Sequence, residues 1–260
     1  MQIVDLSPEH YDAYFNCLSD GTSEFLIGAC RKREWFKHAS ERGLRVKLAL
    51  NDDRKPVGMV QYGPGNLMFE DDHGLSFIHC IWVLRDGKVE NHQKKGIGKG
   101  LLAAVEEDVR HRGSKGLVAW GVSLPFFMRA SWFKKQGFKK IDKKGTAVLL
   151  WKPYAPDAEP LHWKKELKIP EKQKGTVNLT ILACGWCTVM NANTENVKRA
   201  AADFGEKVVV HEIDTNDKAN LAEWGQPEAI YLNGKQIATG PPLSYEQFHK
   251  AIARNVRKVG

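Results

Sequence analysis

A chain of 260 residues is long enough for two modest domains, each with its own core. Hydrophobic residues make up 42% and charged residues 27%, and no apolar run approaches the length of a membrane span, which excludes fibrous, disordered and membrane-spanning classes. The formal net charge of +8 suits an anionic ligand, but the basic residues are dispersed and no nucleic-acid motif occurs. We therefore expect neither a nucleic-acid nor a membrane partner.

The first third of the chain predicts a mixture of strands and helices. Pro8 stands where the first turn of a helix favours proline, and the segment around Asp52 is rich in turn-forming residues. The predicted elements are a strand at residues 3–5, helices at 7–18 and 31–42 separated by a polar break at Asp20-Gly21, and neighbouring strands at 44–50 and 57–62.

A buried strand and a glycine-rich turn follow. The run from Ser76 to Val83 is rich in β-branched and aromatic residues and predicts the strand. Residues 84–92 form a connecting loop that leads to Gln93-Lys94-Lys95-Gly96-Ile97-Gly98-Lys99-Gly100. Apolar residues then recur at spacings of three and four, which predicts an amphipathic helix that ends near Gly113.

The glycine turn predicts a binding site for a phosphate or pyrophosphate. Free N–H groups at a helix start, the helix dipole and neighbouring lysines all favour an anion there. A Walker loop fits poorly because Lys99 is followed by Gly100 rather than by Ser or Thr. The dinucleotide-binding fingerprint spaces its glycines differently and fits no better.

Gln93-x-x-Gly96-x-Gly98 resembles the acetyl-CoA pyrophosphate loop of the GNAT superfamily of N-acetyltransferases. Residues 130–138 are similar to the later helix of that family and to its Gly-Phe exit, and the resemblance covers roughly residues 1–150. It implies a mixed sheet that splays open for the pantetheine arm of acetyl-CoA, and acetyl transfer to an amine-bearing small molecule. It also implies donor contacts at Ile81, Val83, Gln93, Lys94, Lys95, Gly96, Ile97, Gly98, Lys99, Gly100 and Phe133.

Direct attack of an amine on a thioester requires an acceptor for the amine's proton and often a donor to the departing thiolate. The family commonly places a Tyr donor on the later helix, but the matching residue here is Phe133, which has no proton to give. Another group or water would protonate the sulfur, or transfer is slow. His79 is the candidate base because imidazole titrates near pH 7, and a structurally hydrogen-bonded histidine is the alternative.

Other candidates for the acceptor side are carboxylates and thiols. Strand alternation predicts that His79 and Cys80 point to opposite faces of the sheet. Cysteines are more often small core residues than ligands, and a thiol trio in the acceptor site is the minority hypothesis. The weaker base candidates are Glu70, Asp71 and Asp72, and the thiol trio would be Cys17, Cys30 and Cys80.

The first domain closes with further alternating elements. Gly137 stands where a helix favours a left-handed C-terminal residue. The predicted elements are strands at 117–120 and 147–151, with a helix at 125–136 between them. Residues 152–176 are rich in proline and lysine and predict a linker or strap.

From residue 177 the predicted order is βαβαββα, with a hairpin signal at Asn233-Gly234. Cys184-x-x-Cys187 stands between a strand and a helix, where the helix start favours a thiolate, so we expect a lowered pKa for an attacking Cys184 and a resolving role for Cys187. A metal site is the alternative, but His211 and His249 lack a metal-ligand spacing. The segment resembles a thioredoxin-like domain of the YoaP-like group, with Pro227 similar to its cis-proline.

The sequence thus predicts an α/β (α+β) protein of two domains: a GNAT-type mixed sheet with flanking helices over residues 1–151, a linker over 152–176, and a smaller thioredoxin-like βαβαββα domain over 177–260. We expect an acetyl-CoA-dependent acyltransferase with a dithiol domain for thiol or redox coupling, served by a thiol reductant. The alternatives are a thiol-disulfide oxidoreductase and a noncatalytic coenzyme A-binding sensor. The first ten residues lack a secretory pattern, so we expect a cytoplasmic protein with reduced cysteines and no bound metal.

Overall fold

The computed structural model describes residues 1–19, 23–84, 92–124, 127–165, 167–238 and 242–259. The loop predicted at 84–92, apart from its two ends, and the polar break at Asp20-Gly21 lie outside the described residues. The contacts divide the chain into two compact units, one of Met1–Asp20 with Phe36–Trp163, the other of Gly21–Trp35 with Lys164–Gly260.

The first unit is built on a seven-stranded sheet. Its strands are β1 (Gln2–Asp5), β2 (Arg45–Leu50), β3 (Pro56–Pro64), β4 (Ser76–Val83), β5 (Gly116–Val122), β6 (Lys139–Lys144) and β7 (Ala147–Pro153). Its helices are α1 (Tyr11–Phe15), α3 (Ile97–His111) and α4 (Ala130–Lys135), and α2 (Ser23–Glu41) belongs partly to each unit. The strand order is β1-β2-β3-β4-β5-β7-β6, and only β4 and β5 pair in parallel.

The core of the first unit lies on both faces of this sheet. On one face α3 buries Leu101, Val105 and Val109, which share one side of the helix because they stand four residues apart. On the other face Phe77 and Leu149 pack with a buried Leu161. A parallel pair covered on both faces carries apolar residues at most positions, which explains why Ser76–Val83 is rich in β-branched and aromatic residues.

Three predicted helices and one unpredicted strand mark the differences from the structure. The helix predicted at 7–18 is an α-helix only over Tyr11–Phe15. The helix predicted at 31–42 begins earlier, at Ser23. The helix predicted at 125–136 begins only at Ala130, because Met128 has a positive φ of 42° and Arg129 forms a bridge with Val122. Of the predicted helix, Pro125 and Phe126 lie outside the described residues. Strand β6 was missed because its sequence, KKIDKK, is highly charged, as an exposed edge strand allows.

The second unit has a four-stranded sheet covered on both faces. Its elements are β8 (Val177–Ala183), α5 (Thr188–Ala202), β9 (Val208–Asp214), α6 (Lys218–Trp224), β10 (Ala229–Leu232), β11 (Lys235–Ala238) and α7 (Tyr245–Val259). The strand order is β11-β10-β8-β9, with β8 and β9 parallel and the other pairs antiparallel. Leu179 and Ile181 face the cluster under α5 and α7, whereas Leu182 faces Trp224 of α6.

Residues 21–35 join the second unit, although the predicted boundaries placed them in the first domain. Arg31 of α2 forms ion pairs with Glu195 and Glu212. The Asn191 side chain donates a hydrogen bond of 3.1 Å to the carbonyl of Gly28. These polar contacts connect the first part of α2 to the second unit. The sequence did not predict this boundary, because the partners lie more than 160 positions apart. Among the described residues, no helix is long and apolar enough to span a membrane.

Candidate active site

The parallel strands β4 and β5 separate along their length. They pair from Ser76↔Leu117 to Ile78↔Ala119, yet β4 runs on to Val83 and β5 to Val122. Beyond Ile78 the two strands therefore no longer share hydrogen bonds. The result is an opening in the middle of the sheet, with the backbone edge of β4 on one side.

Side chains, rather than strand β5, contact the backbone of β4 along this opening. The Trp120 indole donates a hydrogen bond of 2.8 Å to the carbonyl of His79. The N–H of Ile81 donates to the Met128 sulfur at 3.3 Å, and the Gln93 amide donates to the carbonyl of Val83 at 3.3 Å. Backbone groups at alternate residues of β4 thus face the opening.

A β-bulge on β4 changes which side chains share a face. Gln61 of β3 pairs with Cys80 and Tyr62 pairs with Ile78, so His79 is the extra residue. Ile78 and Ile81 both pack against the cluster under α3, although they stand three residues apart. His79 and Cys80 between them therefore point to the same, opposite face. The predicted alternation of these two side chains was wrong, because a bulge resets the two-residue period.

The environment of His79 does not suit a general base. Its side chain is fully buried, with its ring edge-on to Phe77 at a centroid distance of 5.2 Å. Burial lowers the pKa of His79 to about 3, so the imidazole resists protonation at neutral pH. Burial therefore favours a neutral core histidine over the predicted base.

The carboxylates predicted as weaker bases lie at the wrong end of β4. Asp71 and Asp72 accept hydrogen bonds from backbone N–H groups of their own turn, at His73 and Gly74. This turn precedes the start of β4 at Ser76, whereas the opening begins beyond Ile78. At about 3.3 Å per residue, Ile81 lies about 17 Å further along the strand than Ser76. Glu70 precedes the same turn and is equally displaced.

The three cysteines predicted as a thiol trio do not form one cluster in either unit. Cys17 and Cys80 lie near Tyr14, whose pKa is raised by burial and by these two thiols. The hydroxyl of Tyr14 donates a hydrogen bond of 2.9 Å to the Gln61 side chain. Cys30 belongs to the second unit and is exposed.

The predicted anion site at the start of α3 has the expected local geometry. Gly96 precedes the helix with a positive φ of 84°, and a side chain there would meet no atom within 4 Å. The first intrahelical hydrogen bond runs from Gly100 N–H to Gly96 carbonyl, at 3.0 Å, so the helix offers the N–H groups of 97–99 to a ligand. No side chain of the N-cap residue competes for them, and the nearby exposed lysines are Lys94, Lys95 and Lys99.

The remaining predicted donor residues divide into backbone and core positions. Ile97 and Phe133 are buried in the cluster under α3, with the Phe133 ring between those of Trp132 and Phe138. Gly98 and Gly100 lie in the first turn of α3, and a side chain at Gly98 would approach Trp132 to 3.3 Å. Ile81 and Val83 also send their side chains to the core, and their backbone groups face the opening.

In the second unit the two thiols of the Cys-x-x-Cys motif are placed differently. Cys184 is only 5% exposed, whereas Cys187 is partly exposed and is the N-cap residue of α5. Burial and the neighbouring Glu228 raise the pKa of Cys184 well above its usual value. The prediction of a lowered Cys184 pKa was wrong, because burial and Glu228 outweigh the effect of a helix that begins only at Thr188.

Glu228 is a residue beside the Cys-x-x-Cys motif that sequence reasoning missed. Its carboxylate accepts hydrogen bonds from the Cys184 thiol and the Trp186 indole, and burial raises its pKa to about 8. The motif loop is further held by Asn216, whose side chain donates to the Cys184 carbonyl at 2.8 Å, and by Asn191, which donates to the Gly185 carbonyl at 2.9 Å. The only available signal was the nearness of Glu228 to Pro227.

Two further expectations concern this unit. The described residues contain no cis peptide bond, so the predicted similarity of Pro227 to a cis-proline was wrong in that respect. Thr215 instead donates a hydrogen bond of 2.6 Å to the Pro227 carbonyl and so holds the segment in place. No group of three or more His, Cys, Asp or Glu side chains within the described ranges could hold a metal ion.

Comparison with known proteins identifies the first unit. The model of the acetyltransferase (GNAT) family matches residues 6–138, just over half of the chain. The chain belongs to the GNAT acetyltransferase family. It is therefore an acetyltransferase that uses acetyl-CoA as its acyl donor. No curated protein matches the chain.

Several solved GNAT structures resemble the chain. A ribosomal-protein-alanine N-acetyltransferase from Brucella melitensis is 21% identical, covers 59% of this chain and all of its own, and has a TM-score of 0.45. The PaiA N-acetyltransferase from Thermoplasma acidophilum, solved with coenzyme A, is 15% identical, with the same coverage and a TM-score of 0.42. The Escherichia coli GNAT protein YhbS, also with CoA, is 15% identical, covers 60% of this chain and 82% of its own, and has a TM-score of 0.43.

The described residues fit the GNAT coenzyme. The open space at Gly96, the accessible N–H groups at the start of α3 and three exposed lysines suit a pyrophosphate. The opening between β4 and β5 offers backbone groups to an extended amide-bearing arm. Sequence reasoning found the first feature from its glycines, but it missed Trp120 and Met128, whose roles depend on where two strands part.

Proposed function

We propose that this GNAT acetyltransferase transfers the acetyl group of acetyl-CoA to the amine of a small molecule. The opening of the sheet beyond Ile78↔Ala119, next to the start of α3, is the observation that carries the proposal. GNAT enzymes act on small-molecule or protein acceptors, and the proposal commits to the small-molecule class. The coenzyme supplies an activated thioester, and the protein supplies its orientation.

The proposal assigns donor contacts mainly to backbone groups. The N–H groups of residues 97–99 and the side chains of Lys94, Lys95 and Lys99 would bind the pyrophosphate. The edge of β4 at Ile81 and Val83, with Gln93 beside it, would bind the pantetheine arm. Gly96, Gly98 and Gly100 keep this surface free of side-chain bulk, and Ile97 and Phe133 support it from the core.

Proton transfer at this site would not rely on the residues first considered. Phe133 has no proton to give to the departing thiolate, and His79 is held neutral by burial. We therefore propose that the acceptor binds as the free amine and that water takes the proton and protonates the leaving sulfur. Such a mechanism predicts a rate that rises with pH until the amine of the acceptor is fully deprotonated.

A panel of amines tests the proposal. The reduced protein is incubated with acetyl-CoA and with amines, amino acids and thiol compounds, and acetylated products are followed by mass spectrometry, a readout insensitive to the protein's own thiols. We expect acetamide formation with one class of acceptor. Binding of acetyl-CoA without any product across the panel would contradict the proposal and favour a coenzyme A sensor.

We also propose that the second unit is a thioredoxin-like dithiol domain that couples acetylation to thiols or to redox state. Its support is the strand order β11-β10-β8-β9 and the Cys-x-x-Cys motif at the start of α5. The attacking thiol would be Cys187, because it is the more exposed and a thiolate there faces the positive end of the helix dipole.

The exchange reaction would run as follows with a disulfide substrate. The thiolate of Cys187 attacks one sulfur, forming a mixed disulfide and releasing the other sulfur as a thiolate. The thiol of Cys184 then gives its proton to the ionised form of Glu228 and attacks the Cys187 sulfur, which releases the second thiolate. The substrate gains two electrons and the dithiol becomes a disulfide, which an external thiol reductant returns to the dithiol.

Alkylation rates test this order of attack. We expect iodoacetamide to modify Cys187 before Cys184 at pH 7, with exposed Cys30 as an internal reference within the same chain. The change Cys187→Ser would remove the fast site, and Cys184→Ser would keep it. Faster modification of Cys184 in the wild type would contradict the assignment.

The coupling between the two activities has its own test. Changing Cys184 and Cys187 to Ser should alter acetylation under oxidising conditions if the dithiol regulates the first unit. Unaltered acetylation under both oxidising and reducing conditions would contradict coupling. Reduction of insulin or glutathione disulfide without any acetyl transfer would favour the oxidoreductase alternative. We propose a cytoplasmic location, where the five thiols, none in a disulfide among the described residues, would stay reduced.

A further inference from the structure

We propose that the Met128 sulfur accepts, in the absence of the donor, the hydrogen bond that the donor's thioester carbonyl accepts when it binds. We further propose that the Met128 side chain limits the length of the acyl group that the enzyme accepts. The inference rests on acetyl-CoA being the donor and does not depend on the identity of the acceptor. It concerns the N–H of Ile81, which faces the opening of the sheet and donates to the Met128 sulfur at 3.3 Å.

The three hydrogen bonds along the edge of β4 differ in strength. An indole N–H and an amide N–H donate to the carbonyl oxygens of His79 and Val83 at 2.8 and 3.3 Å. The N–H of Ile81 has a thioether as its acceptor, and a thioether sulfur is a weak one. A thioester carbonyl oxygen would be the better acceptor, so this N–H is the one that most readily exchanges its present acceptor for a ligand.

The backbone of Met128 is fixed although its side chain is adaptable. The Met128 carbonyl accepts a hydrogen bond of 2.7 Å from the N–H of Val122. A side chain at Gly121 would lie 2.7 Å from the same carbonyl oxygen, so the segment packs directly on the end of β5. The φ of 42° at Met128 is a conformation that non-glycine residues seldom adopt. Donor binding would therefore move the side chain and leave the segment in place.

The surroundings of Met128 define the space that the acyl group would enter. The side chain is 6% exposed and belongs to the apolar cluster that also contains Phe133 and Val148. Methionine has three rotatable bonds and fills irregular gaps, so it withdraws at little cost. An acetyl group needs only a short withdrawal, whereas each added methylene needs more of the space that Met128 fills.

Equilibrium binding of acyl-CoA thioesters tests the inference without an acceptor. Dissociation constants of CoA, acetyl-CoA and propionyl-CoA are measured by calorimetry for the wild type, Met128→Leu and Met128→Ala. In Met128→Leu the N–H of Ile81 loses its acceptor, so we expect the preference for acetyl-CoA over CoA to rise about fivefold. In Met128→Ala the preference for propionyl-CoA over acetyl-CoA should rise about tenfold, because a larger pocket admits the extra methylene.

Met68→Leu is the matched control, because Met68 packs against the cluster of Phe77 and Leu149 on the other face of the sheet. It should leave both preferences unchanged. An unchanged acetyl-CoA preference in Met128→Leu, with CoA bound as in the wild type, would overturn the inference and leave the acetyltransferase assignment intact. Because leucine conserves the volume of methionine, this variant keeps the test valid even if Met128→Ala fails to fold. Failure of the wild type to bind CoA would contradict the coenzyme site itself.

Discussion

His79 in the first unit is fully buried and Glu228 in the second is half-buried, and loss of solvent shifts their pKa values in opposite directions. Burial disfavours charge, so it lowers the pKa of His79 to about 3 and raises the pKa of Glu228 to about 8. His79 stays neutral at physiological pH beside a backbone edge, whereas Glu228 titrates next to the Cys184 thiol. The proposed acyl-donor site therefore depends on backbone groups, whereas the proposed dithiol site depends on side-chain chemistry.

The starts of two helices of equal length show the same contrast. Both α3 and α5 follow a parallel strand and contain 15 residues. Glycine precedes α3 and leaves its N–H groups to a ligand, whereas Cys187 precedes α5 and places a thiol there. One helix start is suited to bind an anion, and the other to stabilise a thiolate on the protein.

The largest expected effect is the pH dependence of stability that His79 causes. Because its folded-state pKa is depressed from 6.5 to about 3, its contribution is present above pH 6.5 and is lost as the pH falls toward 3. The wild type should lose about 1.4 kcal/mol of unfolding free energy per pH unit in that window beyond what His79→Gln loses. Urea unfolding between pH 7 and pH 4 measures the difference.

His111→Gln is the control for this prediction, because His111 is exposed near the end of α3. It should keep the wild-type pH dependence. An identical slope for His79→Gln and the wild type would show that His79 is not buried as a neutral group.

Glu228 should produce a slope of the opposite sign. Its folded-state pKa is raised from 4.5 to about 8, so its contribution is complete below pH 4.5 and is lost as the pH rises through 8. The stability of the second unit should fall by up to about 1.4 kcal/mol per pH unit in that window, and Glu228→Gln should remove this dependence. Hydrogen exchange of the β8 amides reports on this unit, and exposed Glu206→Gln serves as the control. A slope that persists in Glu228→Gln would sink the assignment.

Alanine substitutions of two glycines at opposite ends of α3 distinguish a loss of coenzyme binding from backbone strain alone. Gly96 and Gly113 both have a positive φ, of 84° and 75°, and a side chain at either would meet no atom within 4 Å. Replacement by alanine should lower the free energy of unfolding of each variant by about 1–2 kcal/mol. Only Gly96→Ala should also weaken acetyl-CoA binding, by about 30-fold, since shifted N–H donors lose charge-assisted hydrogen bonds. Equal coenzyme affinity in both variants would contradict the donor site.

The smallest effect concerns the N-terminal cap of α6 in the second unit. Asp217 is the N-cap of α6, and its carboxylate accepts a hydrogen bond of 2.7 Å from Ala219 N–H. Asp217→Ala should destabilise the second unit by about 1 kcal/mol, while Asp217→Asn should retain the cap. Neither change should alter acetyl-CoA affinity. A thermal melt that does not distinguish the two variants would show that the cap contributes little.

Much of the fold was readable from local sequence signals. The helix after Gly96 and the hairpin at Asn233-Gly234 follow from periodicity and turn chemistry, and both are present. Strand β6 escaped prediction because an edge strand can be almost entirely charged, so its sequence lacks the apolar pattern of a buried strand.

The parts of the sites that escaped prediction depend on contacts between distant residues. The bulge at His79 places the Cys80 side chain on the same face of the sheet as that of His79, and the sequence of β4 contains no signal for a bulge. Met128 reaches Ile81 across 47 positions, and Glu228 reaches Cys184 from the residue that precedes β10. The expectation that Cys184 attacks rested on its place between a strand and a helix start, and its burial relative to Cys187 depends on contacts that the sequence does not reveal.

Hydrogen exchange with and without acetyl-CoA tests the donor site most directly. Saturating coenzyme should slow exchange of the backbone amides of residues 97–99, with a smaller effect at Ile81, because these N–H groups gain acceptors on the ligand. The amides between Cys184 and Thr188 should be unaffected. Unchanged exchange at 97–99 under saturating acetyl-CoA would contradict the proposal that the coenzyme binds at the start of α3 and along the edge of β4.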